Sequence, residues 1–202
     1  MGIIGNGSFR RNGQHVGVFF DTSNQFLAAR LAFGGGNLDL RTLLAEATKG
    51  RCLIAATAYV IDDGTPSKQA YIYSLKCSGY RVRAKDLQIF PDGMRKGNWD
   101  VGLAVDAKNF APQLDVAVLI TGDGDFIDLM VDLQRSGHYV VVMSFRSNLS
   151  AALRDAADEV VLLDDPRFCY RNNGSTNGHE AQNGGTPPTE DRDNEGNQPV
   201  KT

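Results

Sequence analysis

The chain has 202 residues, 42% of them hydrophobic, and a formal net charge of −3. That is enough apolar material for one domain with a real core, and the near-neutral balance excludes the strongly basic character of an avid, nonspecific nucleic-acid binder. No run approaches the roughly 18 apolar residues of a membrane span, and the first fifteen residues, MGIIGNGSFRRNGQH, lack the apolar stretch of a secretory signal.

Residues 1–14 are expected to form a flexible arm. From there, short apolar runs alternate with amphipathic segments. His15–Phe20 reads as a strand ending at Asp21, and Asn24–Phe33 and Leu40–Lys49 read as helices separated by Gly34-Gly35-Gly36. Cys52–Ile61 is a second strand, Pro66–Ser78 a helix stopped by Gly79, and Tyr80–Ala84 a third strand. After a polar loop through Gly97, Asn98 caps a helix running to about Phe110. Val116–Thr121 is the fourth strand, Asp125–Ser136 a helix, Tyr139–Ser144 a strand, Ser150–Ala156 a helix and Val160–Leu163 a last short strand.

Strands alternating with helices of this length imply parallel βαβ units with right-handed crossovers. The strands at 15–20, 116–121 and 139–144 are almost wholly apolar, as expected where helices cover both faces of a sheet. From Arg171 onward the only members of the hydrophobic set are Ala181 and Val200, so residues 171–202 are expected to be a disordered polar tail behind a domain at 15–170. The tail holds three bases and five acids; removing them from the 21 bases and 24 acids leaves a body with 18 and 19, nearly neutral.

Three cysteines, Cys52, Cys77 and Cys169, lie in no CxxC or Cys/His metal spacing and point to a reduced, cytoplasmic protein. A basic strip runs through Lys68, Lys76, Arg81, Arg83, Lys85, Arg95 and Lys96; solvated surface charge is the preferred reading of it over a ligand site.

The acids carry more information. In a parallel sheet every strand ends on the same edge, where open α/β folds bind their ligands. Asp21 after the first strand and Asp123 and Asp125 after the fourth therefore share that edge, with Asp100 in the first turn of a helix and Ser144 closing the fifth strand. Each acid has an ordinary explanation: Asp21 as a turn or cap residue, Asp125 as an N-cap, Asp100 as a partner of the helix dipole. Four acids from three segments on one edge repel one another, and a divalent cation is the natural compensator. Oxygen-only donors select hard ions such as magnesium; His15, His138 and His179 are scattered, which speaks against zinc. No GxxxxGK[ST] phosphate loop or dinucleotide fingerprint is present.

Asp21-Thr22-Ser23-Asn24 after an apolar strand, Lys96-Gly97-Asn98-Trp99-Asp100-Val101 with Asp106 beyond it, and Thr121-Gly122-Asp123-Gly124-Asp125-Phe126 together resemble the NYN domain, including its LabA-like members. The similarity covers roughly His15 to Leu163. It implies a PIN-like, Rossmann-like three-layer α/β/α sandwich with a mainly parallel sheet, whose strand-end acids bind Mg2+ or Mn2+ and cleave RNA. On this resemblance Asp21, Asp100, Asp123 and Asp125 are catalytic metal ligands, and Asn24 and Ser144 are supporting residues. Asp106, about 240° around the helix from Asp100, is placed on another face as a supporting residue. Trp99 is expected to pack near the helix start. Lys96, Arg81, Arg83 and Lys85 become candidate RNA contacts. The implied activity is that of an endoribonuclease acting on single-stranded RNA, with no membrane partner and a homodimer left open.

Two alternatives accompany it. GDGDF also resembles the late acidic motif of haloacid-dehalogenase-like phosphatases, but Thr22-Ser23 after Asp21 lacks the second acid that family needs, and Asn24-Gln25 breaks the DxSxS of a von Willebrand-type metal site. A LabA-like regulatory or RNA-binding protein could keep the acidic pocket without turnover.

Overall fold

The computed structural model describes residues 13–89 and 95–170, without the side chains of residues 89, 95, 96 and 170. The arm expected over 1–14, apart from its last two residues, and the tail expected over 171–202 lie outside the described residues, as does the Lys96 side chain.

The elements run β1 (His15–Asp21), α1 (Thr22–Ala32), β2 (Asn37–Leu38), α2 (Leu40–Thr48), β3 (Cys52–Asp62), α3 (Pro66–Cys77), β4 (Arg81–Asp86), β5 (Gln88–Ile89), β6 (Arg95–Lys96), α4 (Asp100–Phe110), β7 (Val116–Ile120), α5 (Ile127–Arg135), β8 (Tyr139–Ser144), α6 (Ala151–Ala156), β9 (Glu159–Leu162) and β10 (Cys169–Tyr170). Six strands form one parallel sheet in the order β4-β3-β1-β7-β8-β9. The chain first winds outward from β1 through β3 to β4, then crosses back and winds the other way from β7. With right-handed crossovers this reversal puts α1–α3 on one face and α4–α6 on the other.

The burial pattern agrees. Val16, Val18 and Phe20 of β1 pack with Ala28, Leu43 and Leu75 on the first face, while Phe19 packs with Leu103, Met130 and Leu153 on the second. Adjacent residues of one strand point to opposite faces, so a strand covered on both must be apolar throughout. All five residues of β7 are buried, as are all of β1 after His15. This is the three-layer α/β/α sandwich expected from the sequence.

Several local expectations need correction. Asn98 does not cap α4: Trp99 occupies that position without a side-chain cap, and the Asn98 amide donates instead to Asp100 Oδ2 at 2.5 Å. The helix expected from Asp125 begins with a 3-10 turn at Gly124–Phe126, and the acid that caps the turn is Asp123, which accepts from the Asp125 amide at 3.1 Å. Two short antiparallel ladders, β5 with β6 and β2 with β10, fall where the sequence reads as loop or strand-free. Two-residue strands carry too little periodicity to register. Cys52, Cys77 and Cys169 have free thiols, and among the described residues no helix is long and apolar enough to cross a membrane.

Candidate active site

The strand order makes β1 and β7 neighbours at the point where the winding reverses, and such a switch point opens a crevice at the C-terminal edge of the sheet. Asp21 stands at the end of β1 beside that crevice; Thr121-Gly122-Asp123 leaves β7 on its other side. Thr121 Oγ1 donates to Asp21 Oδ2 at 3.4 Å and accepts from the Asp123 amide at 3.2 Å, so one buried hydroxyl ties the two acidic segments together. Asp21 also caps α1, accepting from the Asn24 amide at 3.3 Å. Its role as a cap and its place at the edge are therefore compatible.

Asp21 is only 8% exposed, and its carboxyl is pushed up to about 6. Burial is the main cause, opposed by the Asn24 amide and reinforced by the charges of Asp100 and Asp123. Asp100, the first residue of α4, is likewise raised, by partial burial and then by Asp123 and Asp125, with Lys85 acting the other way. Asp100 thus feels the other strand-end acids, and Asp21 feels Asp100 and Asp123, across the edge. Among the described residues, however, no three Asp, Glu, His or Cys side chains close into a ready metal cage. The donor set, all carboxylate oxygen, suits a hard divalent cation that keeps several waters and needs few direct ligands.

A polar network locks the turn. Asn24 Oδ1 accepts from the Gly122 amide at 2.7 Å, from Asn148 Nδ2 at 2.8 Å and from Gln25 Nε2 at 2.8 Å. Asn148 Nδ2 also reaches Asn24 O at 2.9 Å, and Ser150 N donates to Gly122 O at 2.9 Å. Ser144 is fully buried here, accepting from Gln25 Nε2 at 3.1 Å and donating to Asn148 Oδ1 at 2.9 Å. Its hydroxyl is thus spent on the loop after β8. A Cβ on Gly122 would stand 2.2 Å from Asn148 O, so only glycine fits between the two loops. Gln25 Oε1 is buried without a partner among the described residues.

Gln25 and Asn148 are not singled out as site residues by the sequence, and Thr121 only as the end of its strand and the first residue of the acidic motif. Thr121 and Asn148 follow the ends of β7 and β8 on the ligand edge, a positional signal that was available; Gln25 gave none.

Asp106 has partners other than the four acids, on the second face of the sheet. It accepts from Tyr59 Oη at 2.9 Å and forms an ion pair with Arg83. Burial, with Asp106 as an added cause, raises the Tyr59 hydroxyl well above its ordinary range. Arg83 also lies 4.9 Å over the Trp99 ring, Lys85 lies 4.1 Å over the same ring, and Trp99 Nε1 donates to Val60 O at 2.8 Å. Trp99 is therefore a packed platform at the start of α4, and Arg83 is committed within the protein. Arg81 and Lys85 remain exposed.

The NYN domain family matches residues 15–164. The "Low amplitude and bright protein LabA" of Synechococcus elongatus is 28% identical over 160 residues, which cover 75% of this chain and 85% of that protein. An uncharacterised protein of Methanocaldococcus jannaschii is 32% identical over 78 residues, 38% of this chain and 32% of that protein's length. The crystal structure of a protein of unknown function from Vibrio parahaemolyticus superposes with a TM-score of 0.71 at 31% identity, covering 78% of this chain and 97% of that one. With its parallel sheet, its strand-end acids and this match over most of its length, the chain belongs to the NYN domain family, in the PIN-like nuclease superfamily.

Proposed function

We propose that the chain is a magnesium- or manganese-dependent endoribonuclease. The observation that carries this reading is the meeting of Asp21, Asp100, Asp123 and Asp125, from three separate segments, on the edge where β1 and β7 part. A fold gains nothing from like charges raising one another; a substrate-assisted cation site does. Asp21, Asp100 and Asp123 would hold the ion, directly or through water, with Asp125 supporting. When bound, the cation supplies Lewis-acid activation of water and charge relief on the scissile phosphate.

The protein's own part is preorganisation. Thr121 and Asn24 fix Asp21 and the Gly122–Asp123 turn relative to each other, so the carboxylates need little rearrangement on binding. Lys85, close enough to Asp100 to oppose the rise in its pKa, and exposed Arg81 offer positive charge to the RNA backbone approaching the edge, with Lys96 assigned the same role from its place before Asp100.

End-labelled single-stranded RNA incubated with the protein and Mg2+ or Mn2+ is expected to yield internal cleavage products that vanish with chelator or with Asp123→Asn. Equal cleavage by the variant, or none across varied RNAs and metals, overturns the reading.

The similarity to LabA leaves a second reading, a LabA-like regulatory or RNA-binding protein without turnover. Metal-independent RNA binding, unaccompanied by cleavage and retained in Asp123→Asn, distinguishes it. The phosphatase alternative has no support from the family match.

A further inference from the structure

On the first face of the sheet a groove of roughly 910 Å³ runs between α1, the start of α2 and α3. Its lining includes Phe26 and Arg30 of α1, Arg41 of α2, and Lys68 and Tyr71 of α3. We propose that this groove holds the single-stranded flank of an RNA whose scissile phosphate lies at the carboxylate edge, stacking a base on Phe26 and meeting phosphates with Arg30, Lys68 and Arg41. The inference rests on the nuclease reading and extends it to a binding path on the first face of the sheet, whereas Lys85 lies over Trp99 on the second.

Position comes first. Asp21 pairs in register with Tyr59 of β3, and β3 continues to Asp62 before the chain turns into α3. The first turn of α3, with Lys68, therefore lies on the same edge as Asp21, one strand over. Along α3 the lining continues from Ser67 to Ser78, about 17 Å at helical rise, so the groove leads away from that edge.

Chemistry comes second. Phe26 is 37% exposed, unusual for a ring beside a core that buries so many others. Tyr71 meets it edge-on at 5.7 Å, fixing its orientation. Lys68 Nζ lies 5.5 Å and the Arg30 guanidinium 6.0 Å from the Phe26 centroid. Both cations lie over the Phe26 ring, so a base that stacks there displaces one of these mobile side chains toward its own phosphate.

Charge comes third. Among the described residues Arg30, Arg41 and Lys68 make no ion pair, whereas the two acids of the lining are engaged by donors of their own loops. Asp39 accepts from the Arg41 and Thr42 amides at 3.1 and 3.0 Å, and Asp63 accepts from Thr65 N at 3.1 Å and Oγ1 at 2.6 Å. With three bases against two acids, and Asp63 feeling the charge of Lys68, the lining keeps a surplus of one positive charge, which complements phosphate.

The test uses the full chain in chelator, where RNA is not cut, and the anisotropy of a fluorescein-labelled oligouridylate of about 16 nucleotides. Arg30→Ala with Lys68→Ala is expected to weaken binding at least about tenfold and to flatten the dependence of log K on log salt by about one to two. Phe26→Ala weakens binding about tenfold with the salt slope unchanged. As a check independent of variant folding, 4-thiouridine RNA is expected to crosslink to peptides containing Phe26 or Tyr71. Wild-type binding by all variants, or crosslinks only outside α1 and α3, overturns the groove while chelator-sensitive cleavage would leave the nuclease standing. Groove-dependent binding with no cleavage in any metal supports the groove and removes the nuclease. A wild-type protein that neither binds nor cuts RNA overturns both, and leaves a protein ligand as the occupant.

Discussion

The side-chain oxygen of Asn24 accepts the Gly122 amide at 2.7 Å, so the first turn of α1 holds the backbone of the acidic turn after β7. Asp21 and Asp123 are thereby set by one network although about a hundred residues separate them in the chain.

Asn24→Ala leaves the Gly122 amide, the Asn148 amide and Gln25 Nε2 without their shared acceptor. A loss of about 1–3 kcal/mol in chemical denaturation is expected, together with a fall in RNA cleavage at saturating metal. Unchanged stability and turnover would show that the turn holds itself.

The two glycines of the acidic turn should respond unequally. A Cβ on Gly122 lands 2.2 Å from backbone Asn148 O, whereas one on Gly124 meets Ser150 Oγ at 3.3 Å, a contact that a small side-chain movement relieves. Gly122→Ala is expected to cost about 1–3 kcal/mol and most of the activity, Gly124→Ala much less of both. Thermal melts and initial rates on one RNA compare them directly; equal losses would refute the packing argument.

Asp21 makes stability depend on pH in metal-free protein. Its folded pKa, about 6, lies above the ordinary 3.8, so the folded state binds the proton more tightly. Stability is then highest below about pH 4 as far as this group is concerned, and falls as pH rises through the window from about 4 to 6, by at most about 3 kcal/mol. Asp21→Asn is expected to flatten that slope and raise the melting temperature in chelator near neutral pH while abolishing cleavage. A variant that melts lower than wild type at neutral pH contradicts the burial argument.

Arg83, Asp106 and Tyr59 form a unit on the second face of the sheet. In a double-mutant cycle, Arg83→Ala and Asp106→Ala should couple by about 0.5–3 kcal/mol. RNA affinity should fall less with Arg83→Ala than with Lys85→Ala, because the Arg83 guanidinium is already paired with the Asp106 carboxylate, whereas Lys85 has no carboxylate partner within ion-pair distance among the described residues. An Arg83 variant that folds normally but loses RNA more than the Lys85 variant would return Arg83 to the binding path.

The fold was largely legible because its signals are local. Apolar runs such as Val116–Ile120, glycine stops such as Gly79 and the period of α5 depend on neighbours a few residues away. The strand-end acids were legible for the same reason: parallel strands share an edge whatever their order. The failures were at short range and low periodicity, as at β5 and β6, or where two polar residues competed for one role, as Asp123 and Asp125 did for the cap.

The sequence by itself thus determined a parallel α/β sandwich with Asp21, Asp123 and Asp125 at its ligand edge, since strand polarity and hydrophobic period are written in consecutive residues. Only the tertiary structure decided that β1 lies beside β7, so that Thr121 bridges Asp21 and the Asp123 backbone, that Ser144 is consumed by Gln25 and Asn148, and that Asp106 faces Arg83. Strand order and side-chain partners are set by packing between distant segments, and a polar residue's hydrogen bonds depend on which of those segments arrives beside it.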